Sequence, residues 1–159
     1  MRIGIFPGTF DPVTAGHLDI IARARKVLDR VVVGVAESYQ KDTLFTAEER
    51  KDIVQRSVAG MEGVEVVTFE GLLVDVARQH GARAIVRGMR FVTDFEYELQ
   101  LALMNRRLDE DVETLFFIPS EQFSTLTSSV IKEVHRLGGD VTGLVPPPAL
   151  EALQEKHRT

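Results

Sequence analysis

The chain of 159 residues contains no cysteine, which excludes disulfides, thiolate metal sites and a cysteine nucleophile at the outset. It lacks any apolar run near the roughly 18 to 20 residues that cross a bilayer, and its start has no basic segment leading into an apolar signal region. The expectation is a soluble, cytoplasmic protein with no membrane contact. Positive charge is not in excess either: 19 Lys and Arg face 24 Asp and Glu, and the formal charge of −5 argues against a broad nucleic-acid surface. Any site for a small anion must therefore be a local concentration of donors. No repeat, low-complexity tract or linker interrupts the chain, and 44% apolar residues suffice for one core, so residues 1–159 read as a single domain.

What the chain does hold is an alternation of strand and helix signals. The apolar run from Arg2 to Phe6 reads as a strand halted by Pro7-Gly8. Leu18, Ile21, Ala22, Arg25 and Leu28 then fall at helical spacing, and Val31 to Ala36 form a β-branched strand. Thr46 with Glu49 three residues later is a capping-box pattern opening a helix that runs to about Ser57. Val64 to Phe69 predicts a third strand, and Leu72, Leu73, Val76 and Ala77 predict a helix that Gly81 can end. Ala84 to Val86 is a brief fourth strand, Thr93 to Leu108 a long helix, and Thr114 to Ile118 a fifth strand stopped by Pro119. Two helices close the chain, from about Ser128 to Leu137 and from about Pro148 to Lys156. Strands apolar on both faces and alternating with helices predict the α/β class. The expected architecture is a single-domain open sandwich, a five-stranded parallel sheet of Rossmann-like, dinucleotide-binding type with helices on both faces. Ligands of such sheets sit beyond the carboxyl ends of the strands, where the strand order reverses.

The loops at that edge carry the informative residues. Phe6 to His17 holds Gly8 and Gly16, where backbone can approach a ligand, the Thr9 hydroxyl, and His17 in a first helical turn whose free amides favour phosphate. Local physics leaves two readings open, a phosphate cradle or a Pro/Gly turn with Thr14 as a helix cap and His17 merely exposed. Arg87 and Arg90, three apart across a glycine after a buried strand, suit phosphate recognition better than ordinary ion pairing. Lys41 lies in a polar loop as a solvated lysine or a phosphate ligand. His80 and His135 read as surface residues. The long helix carries two apolar stripes, Phe95, Leu99, Ala102 and Leu103 against Tyr97, Leu101, Met104 and Leu108. One face cannot accommodate both, so either a thick core or self-association covers the second.

Gly8-Thr9-Phe10-Asp11-Pro12 followed by Thr14-Ala15-Gly16-His17 resembles the signature of the nucleotidyltransferase superfamily, the Thr-x-Gly-His enzymes related to class I aminoacyl-tRNA synthetases. Ser128-Ser129-Val130-Ile131-Lys132 resembles that superfamily's second motif. Lys41, Phe45-Thr46-x-Glu48-Glu49-Arg50, Arg87-Gly88-Met89-Arg90 and Asp94-Phe95-Glu96-Tyr97-Glu98 are together similar to the bacterial phosphopantetheine adenylyltransferase family along nearly the whole chain. Departures are modest, with Phe6 where Tyr is frequent, Met89 where Leu is common and Thr127 in place of Ser.

The resemblance implies transfer of the adenylyl group of ATP to 4′-phosphopantetheine, with Mg²⁺. The products would be dephospho-coenzyme A and pyrophosphate, by in-line attack without a covalent enzyme intermediate, at the penultimate step of coenzyme A biosynthesis. It assigns catalysis to His17, Thr9, Lys41 and Arg90. ATP would meet Thr9, Phe10, His17, Gly88, Met89, Arg90, Glu98 and the run Phe123, Ser124, Thr125, Leu126, Thr127, Ser128 and Ser129. The acceptor would meet Thr9, Lys41, Leu73 and Arg87. No protein ligand for the metal is legible. A homohexamer built from dimers is implied, and feedback by coenzyme A follows by analogy alone. Two alternatives stay open: a sister enzyme acting on nicotinamide mononucleotide or an alcohol phosphate, and a nucleotide-sensing module without turnover.

Overall fold

The computed structural model describes residues 1–37 and 42–158. Its elements are β1 (Ile3–Gly8), α1 (Ala15–Arg25), β2 (Arg30–Ala36), α2 (Ala47–Ser57), β3 (Val64–Phe69), α3 (Leu73–Gln79), β4 (Ala84–Gly88), α4 (Val92–Leu108), β5 (Glu113–Phe117), α5 (Ser128–Arg136) and α6 (Pro147–Arg158). A 3₁₀ turn at Glu121–Phe123, not expected from the sequence, precedes α5. The strands form one parallel sheet in the order β3-β2-β1-β4-β5. Chain direction across the sheet reverses between β1 and β4, which is where such folds bind ligands.

Two apolar layers sandwich the sheet. On one face Ile21 and Ala24 of α1, Ile53 and Val54 of α2, Ile131 of α5 and Leu153 of α6 pack on Val31, Val33 and Val86. On the other, Val76 and Ala77 of α3 cover Ile5, Val32 and Ile85. Fully burying one such side chain stabilises by roughly 1.5–3 kcal/mol, so the first and larger layer anchors the fold. Leu28 is buried beyond the end of α1, and Ala24 rather than Ala22 faces the core.

Thr46 caps α2 by accepting from the Glu49 amide at 3.2 Å, but the Glu49 carboxylate pairs with Lys156 at 3.3 Å instead of closing the box. Gly81 ends α3 with φ +68°, as its position after the apolar run predicts.

Pro7-Gly8 does not halt β1. The ladder to β2 continues to Gly8–Val35, while the ladder to β4 stops at Ile5–Ile85. Proline has no N–H to give, and it falls where one of the two neighbours is no longer paired. The gap left between β1 and β4 opens a crevice at the carboxyl edge. α4 departs further from expectation, since Glu98 is its one buried residue. Phe95, Leu99 and Leu103 of one stripe and Tyr97, Met104 and Leu108 of the other are all exposed, so no thick core hides either stripe.

Candidate active site

A cleft of about 340 Å³ lies at the reversal between β1 and β4. Thr9, Phe10, His17, Arg87, Gly88, Arg90, Glu98 and Leu126 all line it, joined by Asp94 and Ile20. Eight residues anticipated from scattered stretches of sequence therefore converge on one place, as the topology of an open parallel sheet requires.

The first loop is built around Phe10, which adopts φ +50° and folds its ring back over the chain. A Cβ at Gly8 would lie 2.9 Å from that ring, so only glycine fits there. Phe10 stands edge-on to His17 at 4.8 Å and to Phe6 at 5.4 Å. Thr14 caps α1, its Oγ1 accepting the His17 amide at 3.3 Å, while the Thr14 amide donates to His17 Nδ1 at 3.0 Å. The two readings of this loop thus coexist: Thr14 is a cap, and the capping box is what aims His17. Because Nδ1 accepts, the neutral ring carries its proton on Nε2, giving His17 one donor to offer the cleft. Burial, reinforced by the nearby charge of Arg90, pushes the imidazole down to about 4 from its ordinary 6.5.

That depression has a measurable consequence. The unfolded chain takes up the His17 proton near pH 6.5 and the folded chain only near 4, so the folded state loses stability as pH falls through this window. The expected loss is about 3 kcal/mol, and it disappears in His17→Gln. Urea unfolding of both proteins at pH 7, 5.5 and 4 checks it.

Arg87, at the end of β4, is clamped by Glu98 of α4, with Nε to Oε2 at 2.9 Å and Nη2 to Oε1 at 2.6 Å. The pair separates the cleft from a smaller cavity of about 160 Å³ lined by Leu73, Leu101, Ala102, Asn105 and Thr114, to which both residues also contribute. Glu98 is thus first of all the partner that orients Arg87. Arg90 donates to the Leu126 carbonyl at 2.8 Å, drawing the segment before α5 toward the cleft.

Of the anticipated 123–129 run, Leu126 alone lines the cleft. Ser124 donates to the Glu121 carbonyl, Thr127 caps α5 through the Val130 amide at 3.1 Å, and Ser128 donates to the Pro12 carbonyl at 2.8 Å. Thr127 therefore does a serine's capping work. Phe123 lies near Gly16, Thr125 and Ser129 are exposed, and Met89 is half-buried outside the cleft lining. Lys41 falls outside the described residues.

Sequence reasoning gave no role to several residues that shape the site. Asp19 accepts from the Ser120 amide at 2.7 Å and hydroxyl at 3.0 Å, and Arg23 donates to the same hydroxyl, fixing the turn after β5 to α1. Asp11, Arg50 and Lys132 form a second network behind Thr9. For Arg50 a signal existed, because it shares the buried stripe of α2 with Ile53 and Val54 at the i+3 and i+4 positions. His135 is a correction: it is half-buried, and its Nε2 lies 3.0 Å from the Leu153 carbonyl. His80 is half-buried as well.

A larger cavity of about 690 Å³ lies between α5, α6 and residues 42–44, away from the reversal in strand order. Several of its polar groups are already engaged, Lys132 with Asp11, His135 with Leu153 and Lys156 with Glu49. Among the described residues, no three His, Asp or Glu gather to hold a metal ion. No described helix is long and apolar enough to cross a membrane.

Residues 5–134 match the cytidylyltransferase-like family model. A phosphopantetheine adenylyltransferase from Moorella thermoacetica is 50% identical over 157 residues, covering 99% of this chain and 98% of that protein. Proteins of the same name from Geobacter sulfurreducens, 48% identical over 98% of this chain and 94% of that protein, and from Lachnoclostridium phytofermentans, 46% identical over 99% and 96%, align as completely. With the parallel sheet, the glycine-led turn and the cleft at the strand reversal in place, the chain belongs to the cytidylyltransferase-like family and, within it, to the phosphopantetheine adenylyltransferases.

Proposed function

We propose that the chain transfers the adenylyl group of ATP to 4′-phosphopantetheine, releasing pyrophosphate and dephospho-coenzyme A as the penultimate step of coenzyme A biosynthesis in the cytoplasm. The observation that carries the reading is the convergence of Thr9, His17, Arg87 and Arg90 on one cleft in a chain aligned end to end with enzymes of that name. An acceptor oxygen attacks the α-phosphorus of ATP, the bond from that phosphorus to the bridging oxygen breaks, and pyrophosphate departs with the electron pair. An acceptor phosphate is largely dianionic at neutral pH because its second pKa is about 6, so the nucleophile needs no protein base. This suits a cleft whose histidine stays neutral.

What the chain must supply is alignment of two repelling anions and donors for charge that grows in the transition state. His17 Nε2–H serves the α-phosphate, and Thr9 stands where the two substrates meet. Arg90 grips nucleotide phosphates, Arg87 and Lys41 the acceptor phosphate, and Leu73 the arm of the acceptor. Mg²⁺ would be held chiefly by the nucleotide phosphates, since of the two carboxylates lining the cleft Glu98 is engaged by Arg87 and Asp94 alone is left to offer, and it would supply neutralisation of phosphate charge. The exposed apolar residues of α4 support self-association, for which the family resemblance suggests a hexamer. Coenzyme A, sharing the acceptor's arm, is proposed to compete for the same cleft.

Pyrophosphate release with MgATP and a panel of acceptors tests the reading. The expected result is turnover with 4′-phosphopantetheine at least about 100-fold above that with nicotinamide mononucleotide or an alcohol phosphate, since missing polar partners cost that much or more. Preference for another acceptor would make the chain a sister enzyme. Nucleotide binding without turnover on any acceptor would make it a sensor.

A further inference from the structure

Behind the Thr9 turn, away from the cleft, three charged residues from distant parts of the chain interlock. The Asp11 carboxylate, 3% exposed, accepts from the Leu44 amide at 2.9 Å, the Phe45 amide at 3.0 Å and Lys132 Nζ at 2.8 Å. Arg50, 2% exposed, donates from Nη1 to the carbonyls of Thr9 at 2.7 Å and Ala36 at 2.8 Å, and from Nε to Phe45 at 3.1 Å. Neither Asp11, Arg50 nor Lys132 lines the cleft. Between the Thr9 carbonyl and the Asp11 carboxylate sits Phe10 at φ +50°, a backbone region that residues other than glycine hold only where the surroundings over-determine it. The Phe10 ring packs edge-on against His17, so the conformation of this turn is passed directly to the imidazole.

A buried ion pair is weak evidence for stability, because apolar replacements of similar volume are often as stable or more so. Arg50 shares the buried stripe of α2 with Ile53 and Val54, where an apolar side chain would pack. What charges at these places achieve, and hydrocarbons would not, is to fix a backbone carbonyl and a carboxylate at set points. We propose that Asp11, Arg50 and Lys132 are positioning residues: by pinning both sides of the Phe10 turn they set the Thr9 hydroxyl and the His17 ring for adenylyl transfer without touching substrate. This rests on the function proposed above, and one of its readouts does not depend on turnover.

The experiment compares Asp11→Asn, Lys132→Met and Lys132→Arg with the unaltered chain. Pyrophosphate release is measured with MgATP and 4′-phosphopantetheine, scaled to the folded fraction, and the His17 ring is titrated by NMR. In Asp11→Asn and Lys132→Met, kcat is expected to fall about 10-fold or more with the KM for ATP within twofold, while Lys132→Arg keeps most of the turnover. His17 titrates higher in both damaged variants, because a loosened turn admits water to the ring. Charge alone predicts otherwise: loss of the Asp11 carboxylate would lower the His17 pKa and loss of the Lys132 ammonium would raise it. Shifts of opposite sign, an unmoved His17, or turnover reduced only by the lost folded fraction would each overturn the proposal. Should Asp11→Asn not fold, Lys132→Met against Lys132→Arg decides on turnover, equal rates sinking the idea and a 10-fold gap upholding it. An unaltered chain that releases no pyrophosphate would refute the function while leaving the titration of His17 to judge the network.

Discussion

His17→Ala should lower kcat by about 10²- to 10³-fold and leave the affinity for ATP nearly unchanged, the pattern expected when one preorganised donor is withdrawn from a transition state. The geometry sharpens this. With the Thr14 amide on Nδ1 and burial holding the ring neutral, the donor that the residue can offer is Nε2–H of a neutral ring and not an imidazolium. Glutamine can accept near the Nδ1 position only poorly, but its amide can donate near the Nε2 position. His17→Gln is therefore expected to retain about 10-fold more activity than His17→Ala, because it keeps a neutral donor. The pH profile adds an independent check. A neutral donor that takes up a proton only near pH 4 leaves kcat insensitive to His17 above that value, and the fall expected below about pH 6 belongs to protonation of the acceptor phosphate. That fall should persist unchanged in His17→Gln. Equal rates for the alanine and glutamine variants would show that donation from Nε2–H does not carry the step, and loss of the acid limb in His17→Gln would assign that limb to protonation of the imidazole instead of the acceptor phosphate.

How much of this was legible in the sequence depended on whether the signal was local. The inner strand β2 was, because Val31 to Ala36 is apolar on both faces and a covered parallel sheet buries it so, whereas Val64 to Phe69, at the sheet edge, buries only Val66. The site's address followed, since in an open parallel sheet the loops after the strands meet at one edge. Pro7-Gly8 misled because a turn signal was read without knowing that β1 loses one neighbour there. The α4 stripes misled for a related reason: periodicity reports which faces are apolar, not whether this chain or another copy covers them. The run from Phe123 to Ser129 was assigned to the nucleotide as a block, yet its hydroxyls mostly hold backbone, as Thr127 does at the head of α5. Least legible was how Asp11 and Glu98 act, although Glu98 itself was anticipated at the cleft. Each does its work through a partner far away in sequence, Lys132 and Arg87 respectively, and such pairings exist only once the chain has folded.

The Arg87–Glu98 pair carries the second large effect. Glu98 is a buried carboxylate on the wall of a cleft proposed to receive two phosphorylated substrates, a placement that by itself would repel both. Its charge is tolerable because Arg87 Nε and Nη2 neutralise it in a two-bond fork, which leaves Nη1 as the donor for the proposed phosphate. Arg87→Ala is therefore expected to do two kinds of damage: it removes the cation proposed for the acceptor and uncovers the carboxylate. Truncating one member of such a pair costs about 2–5 kcal/mol, much of it from the charge left unpaired, so the KM for the acceptor should rise about 10²-fold or more. Adding Glu98→Gln to Arg87→Ala removes the uncovered charge and should recover about 10-fold of that loss, although each single substitution is harmful on its own. Steady-state kinetics across the four proteins of this cycle decide the matter. If the double variant is no better than Arg87→Ala alone, Glu98 does not burden the cleft when unpaired, and the clamp is merely structural.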